Sequence, residues 1–245
     1  STAQLAKSGK FGDLRRRLTF LLLALVVYRV GAHIPVPGID PDQLRQLFNS
    51  QSGGILNLFN MFSGGALSRF TVFALGIMPY ISASIIFSVL AKVSPQIEAI
   101  QKEGAAGQKK INEWTRLVTV PIALVQSTFI WFGVFLNMPG ALASEPSVGV
   151  ALVVILALTA GSMFAMWLGE LITEHGLGNG SSLIIMAGII AQMPGSMQSI
   201  LNQQDEPYNA ILTLLGIWFA IVLVVVFVQK GERRVPIQYA RLARG

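Results

Sequence analysis

Apolar residues along this chain gather in continuous runs whose length is close to that of a membrane-spanning helix. Crossing a hydrocarbon core about 30 Å thick takes about 20 helical residues. A membrane barrel would instead show strands of about ten residues with alternating polarity. The pattern therefore predicts an all-α integral membrane protein, because helices and closed barrels are the only spanning solutions. Six spans are predicted, of which the fifth is short: 18–34, 70–91, 117–138, 148–169, 181–194 and 209–228.

Basic residues are concentrated in three of the polar segments between these spans. Most of the 18 Lys and Arg residues lie in the tail 1–17, in the loop 92–116 and in the C-terminal segment 229–245. Six spans place these three segments on one side, and the positive-inside rule makes that side the cytoplasm. The turn 170–180 falls on the same side although it contains two Glu and no Lys or Arg. We therefore predict a cytoplasmic N-terminus, with the segments 35–69 and 195–208 outside.

Composition agrees with a membrane protein and excludes several kinds of site. Hydrophobic residues make up 53% of the chain and charged residues 12%, about half the charged fraction of a soluble domain. With no cysteine, disulfides and thiolate metal sites are excluded. His33 and His175 lie far apart in sequence, and no cofactor is expected. The net charge of +6 is explained by orientation of the chain in a membrane, without nucleic acid.

The segment 35–69 contains a short apolar helix, predicted at 55–65, that cannot span a membrane. Its apolar residues recur at the i, i+3, i+4, i+7 spacing of one helical face: Ile55, Leu58, Phe59 and Phe62. The following Ser63-Gly64-Gly65 forms a natural joint, because paired glycines add backbone freedom. Irregular backbone at membrane depth is tolerated only inside protein or beside water, so the pattern suggests a re-entrant segment beside a cavity. A helix lying on the outer leaflet explains the same pattern equally well.

The second predicted span has features of a pore helix. Met78-Pro79-Tyr80 places a proline inside the run, where it would bend the helix. Ile77, Ile81 and Ile85 fall four residues apart and share a face. Ordinary helix packing produces the same features, so the pattern alone leaves both interpretations open.

Specific motifs resemble the SecY family, whose members are pore subunits of the bacterial protein translocase. The resemblance covers nearly the whole chain, in order and spacing. Its motifs are RVG (29–31) and IPVPGI (34–39), FNMFSGGALS (59–68), ALGIMPYISASII (74–86), KEG (102–104) with KKI (109–111), and MWLGE (166–170) with ITE (172–174) and GLGNG (176–180).

The resemblance implies a SecY-type helical bundle: the N-terminal half plus the sixth of ten helices, with a re-entrant plug helix. Such a protein would pass unfolded secretory chains across the bacterial plasma membrane and release hydrophobic segments sideways into lipid. By the resemblance, the apolar pore ring contains Ile77, Ile81 and Ile185. The lateral gate candidates are Ser82, Ile85 and Gln126. The plug residues are Ile55, Leu58, Phe59, Asn60, Phe62, Ser63, Gly64 and Gly65.

The resemblance also implies partners. SecE would brace the two halves, with SecG beside it, and either the motor SecA or a translating ribosome would dock on the cytoplasmic side. Signal peptides, nascent chains and membrane lipid would contact the channel, and ribosomal RNA could contact its loops. The candidate contact residues are Lys109, Lys110, Arg233, Arg234, Arg241 and Arg244. Because a complete family member has ten spans, the chain is expected to be a fragment.

The main alternative is a small-solute transporter or ion channel. Such a protein would need carboxylates or a carbonyl ring at mid-membrane to coordinate its cargo, whereas the acids here lie in loops or near helix ends. Three weaker alternatives are a signal peptide at the basic start, a serine protease at Gly180-Ser181-Ser182, and a nucleotide site at Gly176–Gly180, which lacks the P-loop pattern. None of them explains the repeated spans. We predict that the protein is not an enzyme.

Overall fold

The computed structural model describes residues 10–39, 60–135, 147–203 and 207–231, and every regular element among them is a helix. A π-helical turn, Trp131–Phe135, extends the fourth helix. The helices are α1 (Lys10–Gly31), α2 (Met78–Val93), α3 (Pro95–Lys102), α4 (Ala105–Ile130), α5 (Val148–His175), α6 (Gly180–Gln203) and α7 (Pro207–Gln229).

Several of these helices are long and apolar enough to cross a membrane. Four spans qualify in the described part of the chain: Ala105–Gly133, Val148–His175, Gly180–Gln198 and Ile211–Gln229. Helices α2 and α3 qualify as a pair bent by 101°. The protein is therefore a multi-pass membrane protein of the helical type.

The second helix begins later than the sequence pattern indicated. Residues 70–77 form consecutive turns, and α2 starts at Met78 with Pro79 in its first turn. A proline there costs no hydrogen bond, because the first N–H groups of a helix have no intrahelical partner. Pro79 thus begins the helix instead of bending it. Residues 70–77 are apolar because they are packed inside the protein: Phe70, Phe73 and Ala74 are almost fully buried.

Backbone contacts fix this turn segment to the end of α1 and to α5. Val36 N–H donates to the Phe70 carbonyl and Val72 N–H donates to the Ile34 carbonyl, each at 3.0 Å, which forms an isolated antiparallel bridge. The Val72 carbonyl also lies directly against Gly161 of α5, where a Cβ would come within 1.9 Å of the oxygen. Glycine is therefore required at position 161 for this approach.

Other predicted boundaries also differ from the structure: the tail 1–17 is helical from Lys10, and the span predicted to end at residue 169 continues to His175. The segment predicted as the loop 92–116 is mostly helical, because it contains α3 and the first turns of α4. The short fifth span was predicted to end at Pro194, but α6 continues through this proline to Gln203. Membrane helices tolerate an internal proline where neighbouring groups satisfy the freed carbonyl. The predicted hinge 195–208 is therefore helical up to Gln203.

The chain divides into two compact units, residues 1–192 and 193–245. The first unit contains two hydrophobic clusters. One surrounds Leu158 and Trp131 and includes Phe70 and Leu75. The other joins residues of α1, the 66–77 segment, α5 and α6, with Tyr28, Ile77 and Ile184 among its buried members. The second unit contains the end of α6 and α7, whose described side chains are almost all exposed.

Candidate functional site

The three predicted ring residues belong to one apolar cluster. Ile77 is a buried member, whereas Ile81 and Ile185 are half-buried and pack against its edge. The Ile77 side chain points to α5, since a Cβ at Gly169 would lie 3.0 Å from its Cδ1. Part of the apolar surface of Ile81 and of Ile185 therefore remains accessible to another molecule. The Ile77 side chain is covered and belongs to the packed interior of the cluster.

Local hydrogen bonds position the two half-buried isoleucines. Ile81 lies one turn beyond Ile77, and its N–H donates to the Ile77 carbonyl at 3.1 Å. Helix α6 is capped at its start: Asn179 Oδ1 accepts from Ser182 N–H at 3.2 Å, and Thr173 Oγ1 accepts from Gly180 N–H at 2.8 Å. Side-chain caps of this kind fix where a helix begins, and hence the direction of Ile185 one turn later.

Residues 60–65, here called the stem, are the described part of the predicted plug. They contain Asn60, Phe62, Ser63, Gly64 and Gly65, whereas Ile55, Leu58 and Phe59 lie outside the described residues. Asn60 organises the stem: its carbonyl accepts from Ser63 Oγ at 3.1 Å and from Gly65 N–H at 2.9 Å. Its side-chain Oδ1 accepts from Ser68 N–H at 2.8 Å. The stem is therefore an ordered turn.

Two arginines hold the stem on the side of α1. Arg29 Nη1 and Arg69 Nη2 both donate to the Gly64 carbonyl, at 3.2 and 3.1 Å. Arg69 Nε also donates to the Gly65 carbonyl at 3.1 Å. Hydrogen bonds from a charged donor are about twice as strong as neutral ones. The sequence contained only a weak signal for this contact, the presence of Arg29 inside an apolar run.

His33 connects the two arginines. Its Nε2 lies 2.7 Å from Arg69 Nη1, and its Nδ1 lies 2.7 Å from the Arg29 carbonyl oxygen. A guanidinium offers only donors, so Nε2 accepts and Nδ1–H donates to the carbonyl. These partners assign the neutral tautomer with its proton on Nδ1.

Helix α6 holds the stem from another direction. Gln192 Nε2 donates to the Asn60 carbonyl at 3.0 Å and to the Met61 carbonyl at 3.4 Å. One turn earlier the backbone of Gly188 touches the stem directly: a Cβ at Gly64 would lie 2.9 Å from Gly188 Cα. Sequence reasoning missed Gln192, because its contact partners lie more than 130 residues away.

The predicted gate residues lie near an apolar cavity between α2 and α4. Gln126 lines this cavity of about 190 Å³, together with Met78 one turn before Ser82. Its other lining residues are apolar: Leu67, Ala74, Leu75, Phe129 and Ile130. Ser82 is half-buried and Ile85 is 58% exposed. Gln126 and α2 are thus close, and Ile85 faces away from the packed interior.

The predicted partner-contact residues are placed only in part. Lys109 and Lys110 are exposed near the start of α4, where Lys110 Nζ lies 3.1 Å from a Glu103 carboxylate oxygen. Arg233, Arg234, Arg241 and Arg244 lie outside the described residues. Among the described residues, no group of three His, Asp or Glu could hold a metal ion.

An ion pair engages one of the two acidic residues of the predicted turn 170–180, whose first six residues belong to α5. Arg116 Nε of α4 lies 2.5 Å from Glu170 Oε1 near the end of α5. The carboxylate that breaks the positive pattern of the predicted cytoplasmic side is therefore paired with one of that side's own arginines. This contact joins two spanning helices through residues that are 54 positions apart in sequence.

Comparison with known proteins identifies the family. The SecY family model matches residues 71–245. The chain is 49% identical to the protein translocase subunit SecY of Pseudomonas aeruginosa over 242 residues, 97% of this chain and 54% of that protein. It is 47% identical to the same subunit of Escherichia coli K12 over 247 residues, 99% of this chain and 55% of that protein. It thus spans about half the length of these relatives.

The fold is also found in a solved structure. Sec61 in the canine ribosome-channel complex from the endoplasmic reticulum matches with a TM-score of 0.59 and 18% sequence identity, over 91% of this chain and 50% of that chain. At this identity the likeness concerns the fold alone, and it agrees with the all-helical architecture described above. Together with the family match and the close relatives, it shows that the chain belongs to the SecY family.

Proposed function

We propose that the full-length protein is a protein-conducting channel subunit. It passes unfolded secretory polypeptides across the bacterial plasma membrane and releases hydrophobic segments sideways into lipid. The observation that carries this proposal is the position of Ile81 and Ile185: they come from different helices and adjoin one apolar cluster, and α6, which carries Ile185, also contacts the stem backbone through Gln192. The relatives named as translocase subunits support the same function.

An apolar constriction suits a cargo of varied sequence. Isoleucine side chains form no hydrogen bonds, so they close around any polypeptide without selecting its chemistry. When no cargo is present, a narrow apolar constriction excludes water and thereby blocks ions. A small-solute transporter would instead need polar groups to coordinate its solute. The half-buried side chains at the edge of this cluster, Ile81 and Ile185, offer no such group, so this alternative is not favoured.

We further propose that the stem belongs to a plug and that the cavity beside Gln126 belongs to a lateral gate. The stem is held by backbone carbonyls, so its position does not depend on most of its own side chains. The cavity lies between α4 and the segment that leads into α2, and its lining is apolar apart from Gln126, which suits an acyl chain or an apolar peptide segment. Ser82 and Ile85 would continue this surface along α2.

The partners and the orientation are likewise proposals. The half-length of the chain implies a second half that completes the conduit, with SecE bracing both halves and SecG alongside. SecA or a ribosome would supply the energy from the cytoplasmic side; the ribosome is supported by the canine Sec61 structure, which is that of a ribosome-channel complex. The basic segments that predict a cytoplasmic N-terminus would put the exposed Lys109 and Lys110 on that same side, where Lys110 also pairs with Glu103.

The proposed function is tested by crosslinking at Ile81. This chain has no cysteine, so Ile81→Cys gives a single probe in this half of the full-length protein. The partner subunits and a secretory chain arrested midway, with one cysteine along it, complete the experiment. We expect a disulfide that depends on the signal sequence and on the length of the arrested chain.

A matched control defines the background. Leu152→Cys lies on the exposed surface of α5 and should give no crosslink. If the cargo is exported but never reaches the cysteine at position 81, this residue does not line the conduit. If no cargo is exported at all by an otherwise folded complex, the transporter alternative takes precedence.

A further inference from the structure

We propose that α6 couples the constriction to the stem: Gln192 and Gly188 hold the stem in the closed channel, and the displacement of α6 that widens the constriction also releases it. This inference rests on the proposed channel function. It assigns Gln192 a role as a positioning residue, acting on the stem without touching the cargo.

One face of α6 serves both the constriction and the stem. Ile185, Gly188 and Gln192 occur at i, i+3 and i+7, which places them on the same side of a helix. Ile185 adjoins the apolar cluster with Ile81. Gly188 touches the stem backbone, and Gln192 donates to two of its carbonyls. Because a helix moves as a stiff body over two turns, Ile185 cannot retreat from the constriction without withdrawing Gln192 from the stem.

The contact with α6 is the weaker of the two that hold the stem. On the other side, Arg29 of α1 donates one hydrogen bond to the Gly64 carbonyl, and Arg69, in the segment that follows the stem, donates two to the Gly64 and Gly65 carbonyls. On the α6 side, one neutral amide donates to carbonyls at 3.0 and 3.4 Å. Charge-assisted bonds are about twice as strong as neutral ones. The stem should therefore part from α6 before it parts from Arg29 and Arg69.

The contact also depends on the absence of side chains. A Cβ added to Gly188 would lie 3.1 Å from the Phe62 carbonyl oxygen and 3.3 Å from Gly64 nitrogen. Both are backbone atoms, so the stem itself would have to shift. Gly188→Ala is consequently a second way to loosen the same contact, and it leaves the amide of Gln192 in place.

The test measures the distance between the stem and α6 in the full-length protein with its partners in lipid. Spin labels are attached at Met61→Cys and Ile190→Cys, whose native side chains are 41% and 51% exposed, in a background free of other cysteines. The resting wild type should show mainly a short distance, and a channel engaged with an arrested secretory chain should show a longer one.

The decisive variant is Gln192→Met, which keeps the size of the side chain and removes the donor. We expect the ratio of long to short distances at rest to rise about two- to tenfold, the effect of losing one ordinary hydrogen bond. Gly188→Ala should shift the ratio in the same direction. The control Gln198→Met, on an exposed position of the same helix, should leave it unchanged. In the cargo-engaged channel, Gln192→Met should have no effect, because the contact is already broken.

The outcomes separate this inference from the proposed function. An unchanged resting ratio in both Gln192→Met and Gly188→Ala overturns the coupling, even if cargo crosslinks at position 81. If Gln192→Met raises the ratio of long to short distances equally at rest and with cargo bound, the coupling is overturned as well. A merely structural role of Gln192 would affect both states alike. The resting measurement needs no cargo, so it is decided independently of the crosslinking experiment.

Discussion

The guanidinium of Arg29 donates to the backbone carbonyl of Gly64 across 35 residues of sequence, at 3.2 Å. The contact joins the helix that precedes the predicted plug to the joint that follows it. A charged donor within an apolar run is costly unless it is satisfied, and here it is satisfied by the stem. The placement of Arg29 is therefore part of how the stem is held.

Replacing Arg29 with Gln should loosen the stem. A hydrogen bond from a charged group contributes about 1.5–3 kcal/mol, so the resting channel should open more often. We expect higher ion conductance in bilayers containing the full-length protein without cargo. Arg15→Gln, an exposed position on the same helix, is the control. Equal conductance of the Arg29 variant and the wild type, at equal protein content, would show that Arg29 does not hold the stem closed.

The ion pair between Arg116 and Glu170 should contribute little to stability. Their side chains are 50% and 22% exposed, and pairs open to solvent contribute about 0.2–1 kcal/mol. Glu170→Gln should therefore lower the free energy of unfolding of the purified protein by no more than that. The exchange Arg116→Glu with Glu170→Arg should restore most of the loss. A loss of several kcal/mol in the single variant would mean that the pair is shielded from solvent in the complete assembly.

The spanning helices could be predicted because length and apolarity are local properties of a sequence. The start of α2 could not, since residues 70–77 are as apolar as a span. These residues are hydrophobic because they are buried against the end of α1 and against α5. This burial is visible only in the fold, from the contacts of the segment with Pro35 and Gly161. The proline of Met78-Pro79 was a usable signal, because proline favours the first helical turn.

The candidate site shows the same division. Spacing alone placed Ile77, Ile81 and Ile85 on one face, whereas the prediction of Ile77, Ile81 and Ile185 as ring residues came from the family resemblance. The residues that hold the stem come from positions 29, 69 and 192, and no local pattern brings them together. Gln192 donates to a carbonyl 132 residues away. Nothing in the local sequence around a helical glutamine indicates which distant backbone group it will contact. Polar contacts between a side chain and a distant backbone group can be identified only once the fold is known.

A side chain at position 161 should destabilise the protein. In Gly161→Ala the new Cβ would lie 1.9 Å from the Val72 carbonyl oxygen, so the backbone of the turn segment would have to move. Overpacking of this kind costs about 1–3 kcal/mol, and the unfolding midpoint of the purified protein should fall. Gly149→Ala is the matched control on the same helix, because its Cβ would meet only Ser147 Oγ at 3.8 Å. An equal midpoint for the two variants would contradict the packing of residues 70–77 against α5.

Replacing Ile81 tests the constriction itself. Ile81 is half-buried at the edge of the apolar cluster, so Ile81→Asp should fold and place a hydrated carboxylate where the channel must exclude water. Since an apolar constriction blocks ions by dewetting, we expect a clear rise in resting ion conductance of the full-length protein. Ile81→Leu keeps the apolar volume and should conduct like the wild type. If Ile81→Asp stays closed while cargo export continues, the seal is formed by residues other than Ile81.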